Sequence, residues 1–502
     1  MILLDGHSLR LEDLVAIAYD DARVRVAEPA IDRVRRARAV VDRHAEGTAP
    51  VYGINTGFGS LAEVAIPRDK LGALQVNLLR SHASGVGEPL PVPAVRATMA
   101  LRANVLAKGF SGIRIETLQA LVDALNARVH PRVPSRGSVG ASGDLAPLAH
   151  LALVLIGEGE AIAGDGSTIG GGEALRRAGL TPVALAAKEG LALINGTQPS
   201  AALLGLSVAT AQRLAEAADL AAALTIDALK GSTRPFDARI HEARGFDGQK
   251  QSAASILALL EGSGINKSHE NCGRVQDAYS LRCAAQVHGA ARDAIAFARR
   301  AAELEANAGT DNPMVFVDEG EIISGGNFHG APIAMAADLL AIGLTQLATI
   351  SERRTDRMMN PALSELPAFL TRDSGLHSGF MMAQVAAAAL TSELKTLAHP
   401  ASVDTIPTSA SREDHVSMSM GAALKCARAV DLVARVIAIE LMCACQAIDL
   451  LAPLETSPRL QRAHALVRRH VPVLTDDRPP SPDIETLAAL IAGGGLQLET
   501  FQ

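Results

Sequence analysis

Tryptophan is absent from the 502 residues, and all aromatics together make up only 3%. A chain this poor in aromatics, with its apolar share carried by alanine and leucine, argues against a sheet-based core and leans to helix. Cysteine is also scarce. The five present (Cys272, Cys283, Cys426, Cys443 and Cys445) are too few and too irregularly spaced for a disulfide scaffold or a zinc ribbon, and read as reduced thiols in a cytosolic protein. Uninterrupted apolar runs of the roughly 18–20 residues that span a membrane are not found: Arg213, Glu216 and Asp219 cut one such stretch and Asp338 another. A basic excess is missing too, since Lys+Arg 47 against Asp+Glu 54 leaves a formal net charge of -7. Neither nucleic acid nor an anionic membrane surface is an expected partner. The N-terminus, MILLDGHSLRLEDL, has no basic segment and meets Asp5 after a short apolar start, unlike a signal peptide. A cytoplasmic protein is expected.

What is present is a large helical chain. Leu71–His82 and Ala94–Lys108 carry apolar residues at three- and four-residue spacing, and long Ala/Leu-rich segments follow at about 198–230, 274–307, 329–358, 378–396 and 415–449. MVFVDEGEIISG at 314–325 reads as a β-hairpin, a Gly-rich stretch at 157–172 as a weaker one, and the tail from about 456 as two shorter helices around DDRPPSPD. The expected fold is mainly α: a loop-rich N-terminal region over residues 1–200, then a central long-helix bundle and C-terminal helices over 201–502. Helices apolar on all sides suggest that their outer faces pack on other subunits.

HPRVPSRGSVGASGDLAP at 130–147 fits no ordinary element. Its core, Gly137 to Leu145, allows three readings. It is a tight turn of small residues, or a glycine loop holding phosphate at a helix N-terminus, although no lysine stands at Walker spacing. The third reading is chemical. The Gly143 amide nitrogen, unhindered by a side chain on its own Cα, can attack the carbonyl carbon of Ala141 in a compressed turn. Loss of one water from the ring and of the Ser142 hydroxyl as a second leaves an exocyclic methylidene, an electrophile that no ordinary side chain provides.

The run GSVGASGDLAPLAH resembles the prosthetic-group loop of the histidine and aromatic amino-acid ammonia-lyases. Further stretches similar to that family follow in order: YGINTGFG at 52–59, SHASGVG at 81–87, NGTQ at 195–198, VQDAYSLRC at 275–283, DNP at 311–313, GGNFHG at 325–330 and EDHVSM at 413–418. The resemblance covers about residues 50–420. It implies that Ala141, Ser142 and Gly143 cyclise to 4-methylidene-imidazol-5-one, with no metal or nucleotide required. By the same resemblance Tyr52 is a catalytic acid or base near the β-carbon or amine, Asn195 and Tyr279 hold prosthetic group and substrate, and Phe328 lines the pocket. Arg282 would clamp the α-carboxylate, a task suited to a planar guanidinium, with Gln276 and Asn312 in supporting polar positions. The family's homotetramer, with sites shared between subunits, is implied as well.

Taken singly, each residue has a plainer explanation. Tyr52 and Tyr279 fit core tyrosines with a satisfied hydroxyl, Arg282 a solvated helix residue, and Glu413 a helix N-terminal carboxylate with Asp414 beside it. His150, His288 and His329 follow no metal-ligand spacing and are taken as structural.

Ser81-His82 resembles the pair found in the histidine-type enzymes, and Glu413 supplies the carboxylate found there. A histidine and a carboxylate suit an imidazole, which has one donor and one acceptor when neutral. The implied reaction is elimination of ammonia from L-histidine to trans-urocanate. At two places the chain departs from the histidine-type pattern: Arg412 stands where Gln is usual and His377 where Asn is usual. A phenylalanine, tyrosine or modified-histidine lyase, or an aminomutase, is the alternative within the family; outside it stand a catalytically silent helical scaffold and a phosphate-binding loop protein.

Overall fold

The computed structural model describes residues 1–502 apart from 271, 272, 274 and 502; Cys272 therefore lies outside the described residues. Helices carry most of the chain, and the longest are Gln198–Ala228, Ala284–Ala306, Ala331–Met359 and Ser419–Leu450. The expected helix from 274 begins only at Ala284. Tyr279–Arg282 forms a separate turn, because Cys283 (φ -101°, ψ 14°) leaves the helical path between them. Met314–Phe316 and Glu321–Ile323 pair antiparallel as the expected hairpin. Glu160–Ile162 and Thr168–Gly170 form a second one.

One expectation needs correction. The 130–147 stretch does contain regular structure: His130–Pro131 joins the second hairpin, and Pro134–Arg136 pairs with Val86–Pro89. These are short edge strands, where a missing proline N–H costs no ladder bond. Ala331–Met359 is long and apolar enough to cross a membrane despite Asp338. In this structure, however, 72% of its most apolar stretch is buried in the protein. Asp338 fits inside because its carboxylate accepts a hydrogen bond from the Ser402 N–H at 2.7 Å.

The chain forms two compact units, each drawn from several stretches. The first comprises Met1–Leu206, Arg299–Asp338 and Pro400–Leu424. At its centre lies Val92–Ala107, in which every residue from Ala94 to Ala107 is buried. Leu11–Tyr19, Glu28–Glu46 and Ile115–Asn126 pack around that helix, each fully buried Leu or Val contributing about 1.5–3 kcal/mol. In the same unit Leu71–His82, Leu145–Leu155 and Glu189–Ile194 pack on one another. This packing matters for function, since one helix ends at His82, one starts just after the 137–144 loop, and one ends just before Asn195.

The second unit comprises Ser207–Ala298, Leu339–His399 and Lys425–Gln502. Its interior holds a buried polar network. Arg354 pairs with Glu440 (Nη2 to Oε2, 2.8 Å), which also accepts from Thr225 Oγ1 at 2.8 Å. His288 Nδ1 lies 2.7 Å from Asp219 and its Nε2 3.2 Å from Arg354 Nη1. Cys426, Cys443 and Cys445 are buried and Cys283 is partly buried, and none of the four is in a disulfide. Burial pushes the Cys445 thiol up to about 12 and raises that of Cys443 as well.

Candidate active site

The small-residue loop is held from two sides within the first unit. Ser138 Oγ donates to Asp144 Oδ1 at 2.8 Å and accepts from the Gly140 N–H at 3.1 Å, while the other Asp144 oxygen accepts from the Ser200 N–H at 2.9 Å. Burial raises the Asp144 carboxyl against the pull of these hydrogen bonds. From the other side, the Met418 N–H donates to the Val139 carbonyl at 2.8 Å and Ser417 Oγ to the Gly140 carbonyl at 2.9 Å. Glycine is required at two places. Gly140 (φ +67°) has Ser417 Oγ 2.3 Å from where a Cβ would sit, and Gly143 (φ +72°) has the Gly196 carbonyl oxygen equally close.

These supports present Ala141 and Ser142 to a cavity of about 500 Å³ whose lining includes Tyr52, His82, Asn195, Asn312, Phe328 and Glu413. The structure thus brings together nine of the twelve residues singled out from sequence, with Gly143 in the loop behind. Ser142 Oγ donates to Glu413 Oε1 at 2.9 Å, and Asn195 Nδ2 donates to the Ser142 carbonyl at 2.9 Å. Asn195 Oδ1 is buried and has no hydrogen-bond partner. The second Glu413 oxygen accepts from Thr408 Oγ1 at 2.6 Å. Asn312 Oδ1 accepts from the Gly325 N–H at 2.7 Å, which steadies the amide.

His82 Nδ1 lies 2.9 Å from the Leu78 carbonyl oxygen. A carbonyl only accepts, so Nδ1 carries the proton and the neutral ring offers Nε2 as an acceptor. Burial lowers the His82 pKa, partly opposed by the Leu78 hydrogen bond and the Glu413 charge. Burial likewise raises the Tyr52 phenol, and Glu413 adds to that rise. The Tyr52 hydroxyl accepts a long 3.5 Å contact from the Gly59 N–H, and its ring meets Phe58 edge-on at 6.2 Å.

Gln276, Tyr279 and Arg282 are not among the residues lining this cavity. They belong to the second unit, where Tyr279 is 71% exposed and the Arg282 guanidinium lies 4.6 Å from its ring centroid. Gln276 and Arg282 border a separate cavity of about 720 Å³ together with Asp237, Arg239 and Cys283. His377 also lies in the second unit, 3.9 Å from Asp476 and from Asp477. A larger cavity, about 920 Å³, is in that unit too, but most of its surface is apolar, with Lys250, Lys267 and Glu261 among its lining residues. The smaller cavity at Ser142 is the one that concentrates acid–base groups around an unusual loop.

Sequence reasoning missed several residues. Arg412, of undecided position from sequence, lines the Ser142 cavity. So do His329, taken as structural, and His415, whose rings stack at 5.8 Å and 4°; their membership of GGNFHG and EDHVSM was the available signal. Arg102 was missed altogether, and its one signal was a charge in the middle of the apolar run VPAVRATMALRANVLA. Among the described residues no group of three or more His, Cys, Asp or Glu side chains is placed to hold a metal.

The chain is 58% identical over 505 residues to a histidine ammonia-lyase of Anaeromyxobacter sp. (strain K), covering 99% of both chains. The solved structure of histidine ammonia-lyase from Trypanosoma cruzi superposes with a TM-score of 0.93 at 44% identity, covering 100% of this chain and 95% of that one. Tyrosine aminomutase from Streptomyces globisporus superposes equally well, with a TM-score of 0.93 at 39% identity and coverage of 99% and 97%. The pattern of the family described as aromatic amino acid lyase matches residues 9–469. With that match spanning most of its length, the chain belongs to the aromatic amino acid lyase family.

Proposed function

We propose that this protein is a carbon–nitrogen lyase that eliminates ammonia from L-histidine to give trans-urocanate, using a 4-methylidene-imidazol-5-one formed from Ala141, Ser142 and Gly143. The observation that carries the reading is the placement of Ser142 between the Asn195 amide and the Glu413 carboxylate, in a cavity shared with His82 and Tyr52. The residues fit the group. Gly196 crowds the backbone of Gly143, Asn195 holds the Ser142 carbonyl, and the buried Asn195 Oδ1 is left to accept an N–H from whatever occupies the cavity. When formed, the group supplies an electrophile able to activate the amino acid for loss of ammonia.

The remaining work falls to ordinary side chains. Asn195 donates to the carbonyl oxygen conjugated with the methylidene and so withdraws electrons from it. His82 Nε2 and the Glu413 carboxylate are both acceptors, so they hold best a ring that carries protons on both nitrogens. Such a ring makes the β-hydrogen of histidine more acidic. A phenyl ring offers nothing to either partner, and leaving them desolvated and unpaired disfavours phenylalanine. Tyr52, kept protonated at neutral pH by burial, is the acid or base at the amine or β-carbon. Phe328 bounds the pocket and Asn312 supports it.

Gln276, Tyr279 and Arg282 enter the site in this proposal from another subunit of a homotetramer. The exposure of Tyr279, and a buried Arg282 Nε without a hydrogen-bond partner, support a role completed outside the chain's own fold. Arg282 would then pair with the α-carboxylate. The proposed location is the cytoplasm.

The test is turnover, followed by ultraviolet absorbance of the unsaturated product, with L-histidine, L-tyrosine and L-phenylalanine in parallel, alongside intact mass. Urocanate from histidine alone, and a chain lighter by two waters, are expected. Ser142→Ala should retain both waters and lose turnover while remaining folded; an active Ser142→Ala protein would refute the prosthetic-group assignment.

A further inference from the structure

Beneath the loop lies a guanidinium for which the reaction itself has no use. Arg102 sits in the middle of Val92–Ala107 with 0% exposure. Its Nη1 donates to the Asn195 carbonyl at 3.0 Å, to Gln198 Oε1 at 2.8 Å and to the Thr310 carbonyl at 3.4 Å, while Nε donates to the Ala192 carbonyl at 3.1 Å. Nη2 also donates to Ala192. Asp311 stands 3.9 Å from Nη2 and 3.6 Å from the equally buried Lys188 ammonium, so one carboxylate faces two buried cations. A buried charge in such company is costly unless its hydrogen bonds are filled.

What Arg102 touches leads directly to the reacting loop. Gly196 lies close against the guanidinium: a Cβ there would meet Arg102 Nη1 and Gln198 Oε1, each at 2.4 Å. The Gly196 carbonyl accepts from the Asp144 N–H at 2.8 Å and stands 2.3 Å from where a Gly143 Cβ would be, and the two glycines form a parallel bridge. Asn195, held through its own carbonyl by Arg102, places its amide on the Ser142 carbonyl. The two groups that press on the Ala141–Gly143 turn, the Asn195 side-chain amide and the Gly196 backbone carbonyl, are therefore both set by one planar cation.

We propose that Arg102 is a positioning residue for closure of the Ala141–Gly143 ring, acting through Asn195 and Gly196. The inference rests on the proposed prosthetic group. In the closure step the Gly143 nitrogen bonds to the Ala141 carbonyl carbon, and that carbonyl oxygen leaves as water with the Gly143 and Ser142 amide protons, leaving a double bond from that carbon to the Ser142 nitrogen. The Ser142 hydroxyl leaves as a second water with the Ser142 Cα hydrogen, so no oxidant or reductant is consumed. Arg102 takes no part in these bonds. It fixes the approach of nitrogen to carbon, and its planar fork reaches acceptors on two chain segments at once, which a lysine ammonium does not reproduce.

The full chain is made by cell-free synthesis, and the two-water mass loss is followed over time for wild type, Arg102→Lys, Asn195→Ala and the double variant, with thermal melting in parallel. Arg102→Lys is expected to fold but to cyclise at least tenfold more slowly. In the Asn195→Ala background it should slow cyclisation further by a smaller factor than in wild type, because the route through Asn195 is already lost and only that through Gly196 remains. Wild-type cyclisation rates in Arg102→Lys, or the same slowing in both backgrounds, would overturn the proposal. If Arg102→Lys does not fold, Gln198→Leu removes one guanidinium contact more gently; slowed cyclisation with unchanged melting supports the role, and unchanged cyclisation overturns it. Absence of the two-water loss in wild type is a separate result, since it removes the prosthetic group itself.

Discussion

Replacing Glu413 by Gln tests the site most sharply, because it removes a charge while keeping shape. Before cyclisation Glu413 accepts from Ser142 Oγ at 2.9 Å and from Thr408 Oγ1 at 2.6 Å; in the mature site the Ser142 hydroxyl has left as water and Thr408 remains. The Thr408 hydroxyl rotates to accept as well as donate, so the amide can be satisfied and the fold should lose about 1 kcal/mol at most. Turnover is different. The carboxylate holds the substrate ring in its doubly protonated form, and its loss should lower kcat about 100- to 1,000-fold, or roughly 3–4 kcal/mol of transition-state stabilisation. A second signature lies in the pH profile. Glu413 contributes to the raised Tyr52 pKa, with burial the larger cause. Removing the anion makes the phenolate easier to form, so an alkaline limb governed by Tyr52 should move to lower pH. The assay is steady-state formation of urocanate across the pH range, with intact mass confirming the two-water loss and melting confirming the fold. A Glu413→Gln protein within threefold of wild-type kcat would refute the role given to this carboxylate.

Gly140→Ala places a methyl on a left-handed residue 2.3 Å from Ser417 Oγ. The conformation costs about 1–2 kcal/mol and the clash about 1–3 kcal/mol, so calorimetry should show a lower melting temperature and mass spectrometry incomplete water loss. Arg354→Met strands the buried Glu440 carboxylate and should destabilise by about 3–5 kcal/mol in denaturant titrations, with most of the loss recovered in Arg354→Met/Glu440→Leu. Burial holds His288 below the ordinary imidazole pKa, ahead of the opposing pull of Asp219. The unfolded chain therefore binds this proton first as pH falls through about 6.5, and stability should fall from pH 7.5 to 5.5, by up to about 1.4 kcal/mol per unit for this one site. A His288→Gln variant should show a flatter dependence; an unchanged slope would assign the effect to other groups.

Features that depend on neighbours along the chain were readable before any tertiary contact was known. The helical segments were legible from three- and four-residue apolar spacing, as Gln198–Ala228, Ala331–Met359 and Met381–Leu397 show, because amphipathic or all-round apolar character is a local property. The covalent possibility at Ala141-Ser142-Gly143 was legible for the same reason, since the reacting atoms belong to three consecutive residues. Edge strands such as Pro134–Arg136 were not, because their partner Val86–Pro89 lies far off in sequence. Only tertiary structure decided that Arg412 borders the cavity, that the histidines at 329 and 415 stack there, and that Gln276, Tyr279 and Arg282 lie with the second unit. Arg102 gives the clearest case. In sequence it is a charge interrupting an apolar helix; its meaning comes from carbonyls of residues 192, 195 and 310 that converge on it after folding. The direction of a side chain and the acceptors that surround it are set by packing between distant segments, and no local pattern encodes them.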